Sequence, residues 1–204
     1  MYNLVKPLSI RKKLLKRKIR IFTHLQFAHI FDLSGYQAEY TLSQLVKEDL
    51  LTRLKRGMYT LKTDPPSEEE IANVLYKPSY ISFEYALAYY NIIPEMVYQI
   101  TSATTKPTRL FSVGHNSFAY YTIKPKAYTG YTLVQRGEKQ FYIAESEKAF
   151  VDHLYIISLG QRSLLGGKSV NDRMELKTLD KEKIRTFSKL YDWSKLDALI
   201  KEVL

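Results

Sequence analysis

Residues 23–61 read THLQFAHIFDLSGYQAEYTLSQLVKEDLLTRLKRGMYTL, two short helical patterns and a basic hairpin with almost no spare residues between them. From Thr23 onward, Leu25, Phe27, Ala28, Ile30 and Phe31 recur at helix-compatible spacings, and Thr23 is placed to cap the first turn. Asp32, Leu33, Ser34 and Gly35 then supply a turn. Ser34 and Gln37 have the three-residue spacing of a capping box, in which the serine oxygen accepts an early backbone N–H and the glutamine reaches back, so a second helix begins there. Its apolar positions Ala38, Leu42, Leu45 and Val46 form one stripe at about 100° per residue and predict packing on the preceding helix.

The opposite face carries Tyr36, Gln37, Tyr40, Ser43, Gln44 and Lys47, rich in hydrogen-bonding groups and free of carboxylates, with Glu39 at its flank. Such groups suit base edges and phosphates. Residues 52–61 read as an alternating strand on either side of a turn at Arg56 and Gly57, with Arg53, Lys55 and Arg56 as its cations. Taken alone, this is an ordinary surface hairpin with solvated cations. Directly after two such helices, it falls where a winged helix-turn-helix makes phosphate contacts. The constellation predicts a winged helix-turn-helix on duplex DNA. Tyr36, Gln37, Tyr40 and Gln44 then face bases, and Ser43, Lys47, Arg53, Lys55 and Arg56 meet phosphates.

The charge follows the same division. Of a formal net charge of +10, residues 1–62 hold 13 Lys or Arg against 4 Asp or Glu, while residues 63–204 hold 18 against 17. The excess therefore lies on the segment that reads as a helix-turn-helix, the electrostatic footprint of a nucleic-acid-binding domain. Residues 12–20 lack the bulky apolar face of an interfacial helix, so a membrane-surface role is not expected. A chain of 204 residues with 45% apolar content allows one large or two small domains with a substantial core. The absence of cysteine excludes a disulfide framework and thiolate metal sites and fits a reducing cytoplasm. With no apolar run of about 18 residues and no apolar signal region, a cytoplasmic protein is expected.

Around the central stretch, residues 7–17 predict a short helix packed through Leu8, Leu14 and Leu15, and residues 19–22 a short edge strand able to pair with the wing. Asp64, Pro65 and Pro66 stop the wing strand, and Ser67 with Glu68, Glu69 and Glu70 starts a helix whose positive end suits the carboxylates. Two domains follow, a DNA-binding one over 1–62 and an α+β one over 66–204. In the second, a helix over 82–91 precedes strands near 97–102, 109–113, 118–124, 128–134 and 139–143, an antiparallel-looking sheet. Helices over 145–158, 181–190 and 194–203 and a loop over 160–169 complete an α+β fold. Much of the complement of 17 tyrosines falls here, chiefly as sheet packing. Aromatics interleaved with Arg109, Lys124 and Lys126 offer an interaction surface.

No catalytic pattern stands out. Gly166, Gly167, Lys168 and Ser169 suggest a phosphate-binding loop, but the glycine required five positions before Gly167 is Arg162. His24, His29, His115 and His153 have no carboxylate pattern completing a metal site. No GxSxG elbow marks a nucleophile, and Asp152 and His153, adjacent on one helix, point about 100° apart. The sequence predicts a non-enzyme without metal or cofactor.

Four segments carry a family resemblance: Leu50-Leu51-Thr52-Arg53-Leu54-Lys55-Arg56-Gly57-Met58-Tyr59, Tyr80-Ile81-Ser82-Phe83-Glu84-Tyr85-Ala86-Leu87, Tyr98-Gln99-Ile100-Thr101-Ser102, and Ile143-Ala144-Glu145-Ser146-Glu147-Lys148-Ala149-Phe150-Val151-Asp152. In that order they resemble the AbiEi family, antitoxins of type IV toxin–antitoxin and abortive-infection systems. The sequence departs from the family at Glu145-Ser146, where Thr-Pro often starts the helix. The resemblance implies an N-terminal winged helix-turn-helix that represses its own operon at inverted repeats. It also implies a C-terminal domain that neutralises a nucleotidyltransferase-like toxin without a stable complex, and it supplies no catalytic residues. The alternative is a stand-alone nucleic-acid-binding regulator, or an interaction module, without antitoxin activity.

Overall fold

In the computed structural model, which describes residues 6–160 and 174–204, the chain divides into two units, Met1–Ser67 and Glu68–Leu204. The first contains α1 (Pro7–Lys16), β1 (Ile21–Thr23), α2 (His24–Phe31), α3 (Gly35–Lys47), β2 (Leu51–Lys55) and β3 (Met58–Leu61). Two capping boxes set the helix starts, Ser34 with Gln37 and also Thr23 with Gln26. A left-handed Asp32 ends α2, where the Leu33 N–H donates to the Ala28 carbonyl at 2.9 Å.

Ile10, Leu14, Phe22, Phe27, Phe31, Ala38, Leu42, Leu45, Leu51, Tyr59 and Leu61 make one buried cluster in this unit. Phe22 stacks on Phe27 at 5.8 Å and on Tyr59 at 6.3 Å, so β1, α2 and β3 share one aromatic layer. The first helix buries Ile10 and Leu14, four apart on one stripe, whereas the expected Leu8 and Leu15 lie off that stripe and are exposed. The strand expected over 19–22 forms at Ile21–Thr23. It pairs antiparallel with β3 in a three-stranded sheet of order β1-β3-β2.

The hairpin departs from simple alternation. A register shift between Arg53 and Lys55 lets Leu51 and Leu54 both turn inward while Arg53 stays exposed.

The second unit contains α4 (Glu68–Leu75), β4 (Ser79–Ile81), α5 (Phe83–Tyr89), β5 (Ile100–Thr104), β6 (Arg109–Val113), β7 (Asn116–Thr122), β8 (Tyr131–Arg136), β9 (Lys139–Ala144), α6 (Ser146–Ser158), α7 (Lys181–Lys189) and α8 (Ser194–Val203). The expected mainly antiparallel sheet is instead a mixed six-stranded one, of order β6-β7-β5-β4-β9-β8. The pairs β5–β7 and β4–β9 run parallel, and β4–β5, β6–β7 and β8–β9 antiparallel. After the turn at Gly114, β7 folds back into the slot beside β5, leaving β6 at the edge. The unanticipated β4 takes a central position between β5 and β9.

The strand expected over 128–134 starts later, after a 3-10 turn at Pro125–Ala127 and a left-handed Gly130. The loop predicted over 160–169, with Gly166 to Ser169, lies outside the described residues apart from Gly160. Among the described residues no helix is long and apolar enough to cross a membrane.

Candidate nucleic-acid interface

At 100° per residue, Tyr36, Tyr40, Ser43 and Lys47 fall on one line along α3, and all four are exposed. Tyr36 is 76% accessible and Tyr40 47%, although both are large aromatic side chains. Gln37 and Gln44 sit on the flank of this crest, each half-buried, and exposed Glu39 marks the other flank. The cap constrains Gln37 further. Its Oε1 accepts the Ser34 N–H at 2.9 Å, which leaves the Nε2 amide as its outward-facing group. Behind the crest, Ala38, Thr41, Leu42 and Leu45 are buried, so the helix cannot rotate to hide its tyrosines without exposing its core face.

His24, for which the sequence offers no metal-site pattern, joins three chain segments. Its backbone N–H donates to the Gly57 carbonyl at 2.9 Å, and its ring Nε2 meets the Gly35 carbonyl at 3.0 Å. Because a carbonyl only accepts, that ring nitrogen carries the hydrogen. The start of α2, the start of α3 and the hairpin turn therefore lie together at one end of the unit. Gly57 makes the turn possible at φ +73°, a conformation in which side chains are strained.

The cations of this unit divide by what they touch. Arg53, Arg56 and Lys47 are exposed, and Lys55 is half-buried in the hairpin. Others serve the fold. Lys13 donates to the Ile30 carbonyl at 2.6 Å with its ammonium 4.9 Å from the Phe31 ring, bracing α1 on α2. Arg20 pairs with Asp64 at 3.5 Å, and Lys62 with Asp49.

The second unit holds a buried polar network that the sequence did not reveal. Within α6, Lys148 and Asp152 are fully buried and paired. Asp152 Oδ1 also accepts from the Tyr191 hydroxyl, while Oδ2 accepts from Tyr80 at 3.0 Å and from Ser82 at 2.7 Å. Lys148 donates to the Tyr191 hydroxyl at 3.1 Å. One carboxylate thus gathers donors from α6, from β4 and its following turn, and from the link before α8.

Burial and the adjacent carboxylate hold the Tyr80 and Tyr191 hydroxyls far above their ordinary range. Burial lowers the Lys148 ammonium, against the opposing pull of Asp152. With both charged groups at 0% exposure, the network is closed to substrate and acts as an internal brace. His153, the neighbour of Asp152, points elsewhere, its Nδ1 lying 3.5 Å from Glu84.

Spacing gives no signal for the brace: Ala149, Phe150, Val151, Leu154, Ile156 and Ile157 leave Lys148 and Asp152 together in the one sector of α6 that those six residues do not occupy, where an i, i+4 pair reads as solvent-facing. Two of the cations interleaved with aromatics lie over rings. Arg109 lies over the rings of Tyr76 and Phe111 at 5.8 and 5.2 Å, and Lys124 over Trp193 at 5.7 Å, while Lys126 is exposed.

Among the described residues no three His, Asp or Glu side chains gather as metal ligands. No protein-family model matches the chain, and no curated protein matches it.

Proposed function

We propose that the chain is a DNA-binding transcriptional autorepressor and the antitoxin of a type IV toxin–antitoxin operon. Its N-terminal unit is a winged helix-turn-helix. In this reading α3 lies in the major groove with Tyr36, Tyr40 and Gln44 toward bases. Gln37 adds one amide donor, and Ser43, Lys47, Arg53, Lys55 and Arg56 meet phosphates. The observation that carries it is the convergence of the α2 start, the α3 start and the hairpin turn at His24, with an exposed tyrosine-lined crest beside exposed arginines. The positive charge concentrated in residues 1–62 supports the same reading.

The antitoxin role rests on the four segments that resemble AbiEi proteins. It implies a nucleotidyltransferase-like toxin that is opposed without a stable complex, in the cytoplasm.

Binding of the full-length chain to the DNA upstream of its own gene tests the first part. If about five phosphates are neutralised, log affinity falls with log salt at a slope of roughly −4 to −5. A salt-insensitive complex, or no complex with inverted repeats, overturns the reading. Co-expression with the adjacent gene tests the second part: rescue from that gene's toxicity is expected, and unrelieved growth arrest contradicts it.

A further inference from the structure

We propose that the half-site under α3 is A·T-rich and is read through thymine C5-methyl groups by the rings of Tyr36 and Tyr40, with Leu25 beside them; this rests on the DNA-binding reading. A helix-turn-helix meets base edges with the first turns of its recognition helix. The commonest specific contact there is a bidentate Arg or Lys on guanine O6 and N7. Residues 34–46 contain no Lys or Arg at all, and the first cation of α3 is Lys47 in its last turn. The face therefore lacks the group that selects guanine.

What it offers instead fits the other bases. Tyr36 and Tyr40 expose aromatic edges, and Leu25, at the start of α2, is 77% accessible. The hydrogen bond from the His24 ring to Gly35 ties the residue before Leu25 to the residue before Tyr36, and Tyr40 follows one turn along α3. In the major groove the apolar partner for such groups is the thymine methyl. Gln44 carries the amide that pairs with adenine N6 and N7. Glu39, on the flank, accepts from the amino group of adenine or of cytosine, so it does not by itself separate A·T from G·C pairs. Of the exposed cations, Lys47 lies at the far end of α3, whereas Arg53 and Arg56 lie on the hairpin, whose turn is tied to the α2 start; none is on the first turns of α3, and all serve phosphates in this reading.

The experiment selects duplexes from a random library with the full-length chain at physiological salt, then replaces thymine by uracil in the selected site. The inference expects A·T enrichment and a loss of about fourfold in affinity for each methyl removed. Tyr36→Ala abolishes the thymine–uracil difference at one position and leaves the salt slope and the melting temperature unchanged. Tyr36→Phe retains the difference. Enrichment of G·C runs, or indifference to uracil, in a chain that still binds duplexes with steep salt dependence overturns this inference and leaves the DNA-binding reading standing. Failure to bind any duplex at low salt overturns both. If Tyr36→Ala and Tyr40→Ala leave sequence preference intact and dissociate a dimer in sedimentation, the crest is a protein interface and the inference fails.

Discussion

Replacing Asp152 by alanine removes the one acceptor shared by Lys148, Tyr80, Ser82 and Tyr191. Lys148 would keep only its bond to the Tyr191 hydroxyl and would remain in a site of zero exposure. Breaking a buried pair from one side costs about 3–5 kcal/mol, because the surviving charge is left uncompensated. The two hydroxyls that keep no partner, on Tyr80 and Ser82, add about 1–3 kcal/mol each unless water enters.

The total is capped by the lysine itself, which can lose its proton. Its pKa is already lowered by burial, and removing the carboxylate takes away the group that opposes this. A net loss of about 3–5 kcal/mol, or roughly 10–20 °C in melting temperature, is the expected outcome. The only tryptophan, Trp193, lies in the second unit, so urea unfolding followed by its fluorescence reports on the unit that contains the network.

Two further results separate a charge effect from mere loss of packing. The cost of Asp152→Ala should shrink as pH rises and Lys148 neutralises more easily. The pair Lys148→Met with Asp152→Leu should recover most of the loss, since apolar replacements of buried pairs are often neutral. A cost below about 1 kcal/mol, or one that does not change with pH, would refute the claim that this carboxylate braces the unit.

Further tests address both units. Arg56→Ala should weaken binding evenly across DNA sequences and reduce the salt slope by about 1, as read from titrations at several salt concentrations. Gly130→Ala should destabilise by roughly 2–5 kcal/mol, because its Cβ would lie 2.5 Å from Phe187 at φ +72°, whereas Gly137→Ala, with open space around it, should lose only about 1 kcal/mol. Urea midpoints of the two variants compare them directly. Burial raises Tyr80, Tyr85, Tyr120, Tyr128 and Tyr191 well above 10 and pushes Tyr90 up to about 12. Raised folded-state values mean that this stability is fully present below about 10 and is lost as pH climbs past it. Lys148, shifted the opposite way, makes stability rise with pH below its ordinary 10.5. Tyrosine ionisation followed by ultraviolet absorbance should therefore show exposed residues titrating first and a late step coincident with unfolding. A single reversible step near 10 would contradict the buried assignments.

The first unit was legible because its determinants are local. Ser34, Gln37, the apolar stripe from Ala38 to Val46 and the Arg56-Gly57 turn each act within a few residues, so spacing alone reports them. Spacing did not report that Leu8 and Leu25 face out, because that outcome depends on what lies opposite. In the second unit the decisive relations are non-local. Alternation says which face a strand buries but not which strand lies beside it, so the parallel β5–β7 and β4–β9 pairings could not be read. The spacing of Lys148 and Asp152 is that of an ordinary surface ion pair, and only packing of α5, α7 and α8 around α6 takes it inside.

That burial changes what the resemblance can carry. The segments over 80–87 and 143–152 supply Tyr80, Ser82, Lys148 and Asp152, all within one closed network. Residues in such a network answer to packing, and a chain sharing them shares first of all a way of building this unit. Loss of antitoxin activity in Asp152→Ala would therefore say only that the unit unfolds. The informative substitutions are exposed ones in the same unit, Tyr98 at 81% and Leu110 at 62% accessibility. An alanine at either should leave the unfolding free energy from urea titration within about 0.5 kcal/mol of the parent chain. If toxin neutralisation fails in such a variant while folding and operator binding persist, the activity belongs to that surface. If neutralisation survives at both positions, neither residue takes part in it.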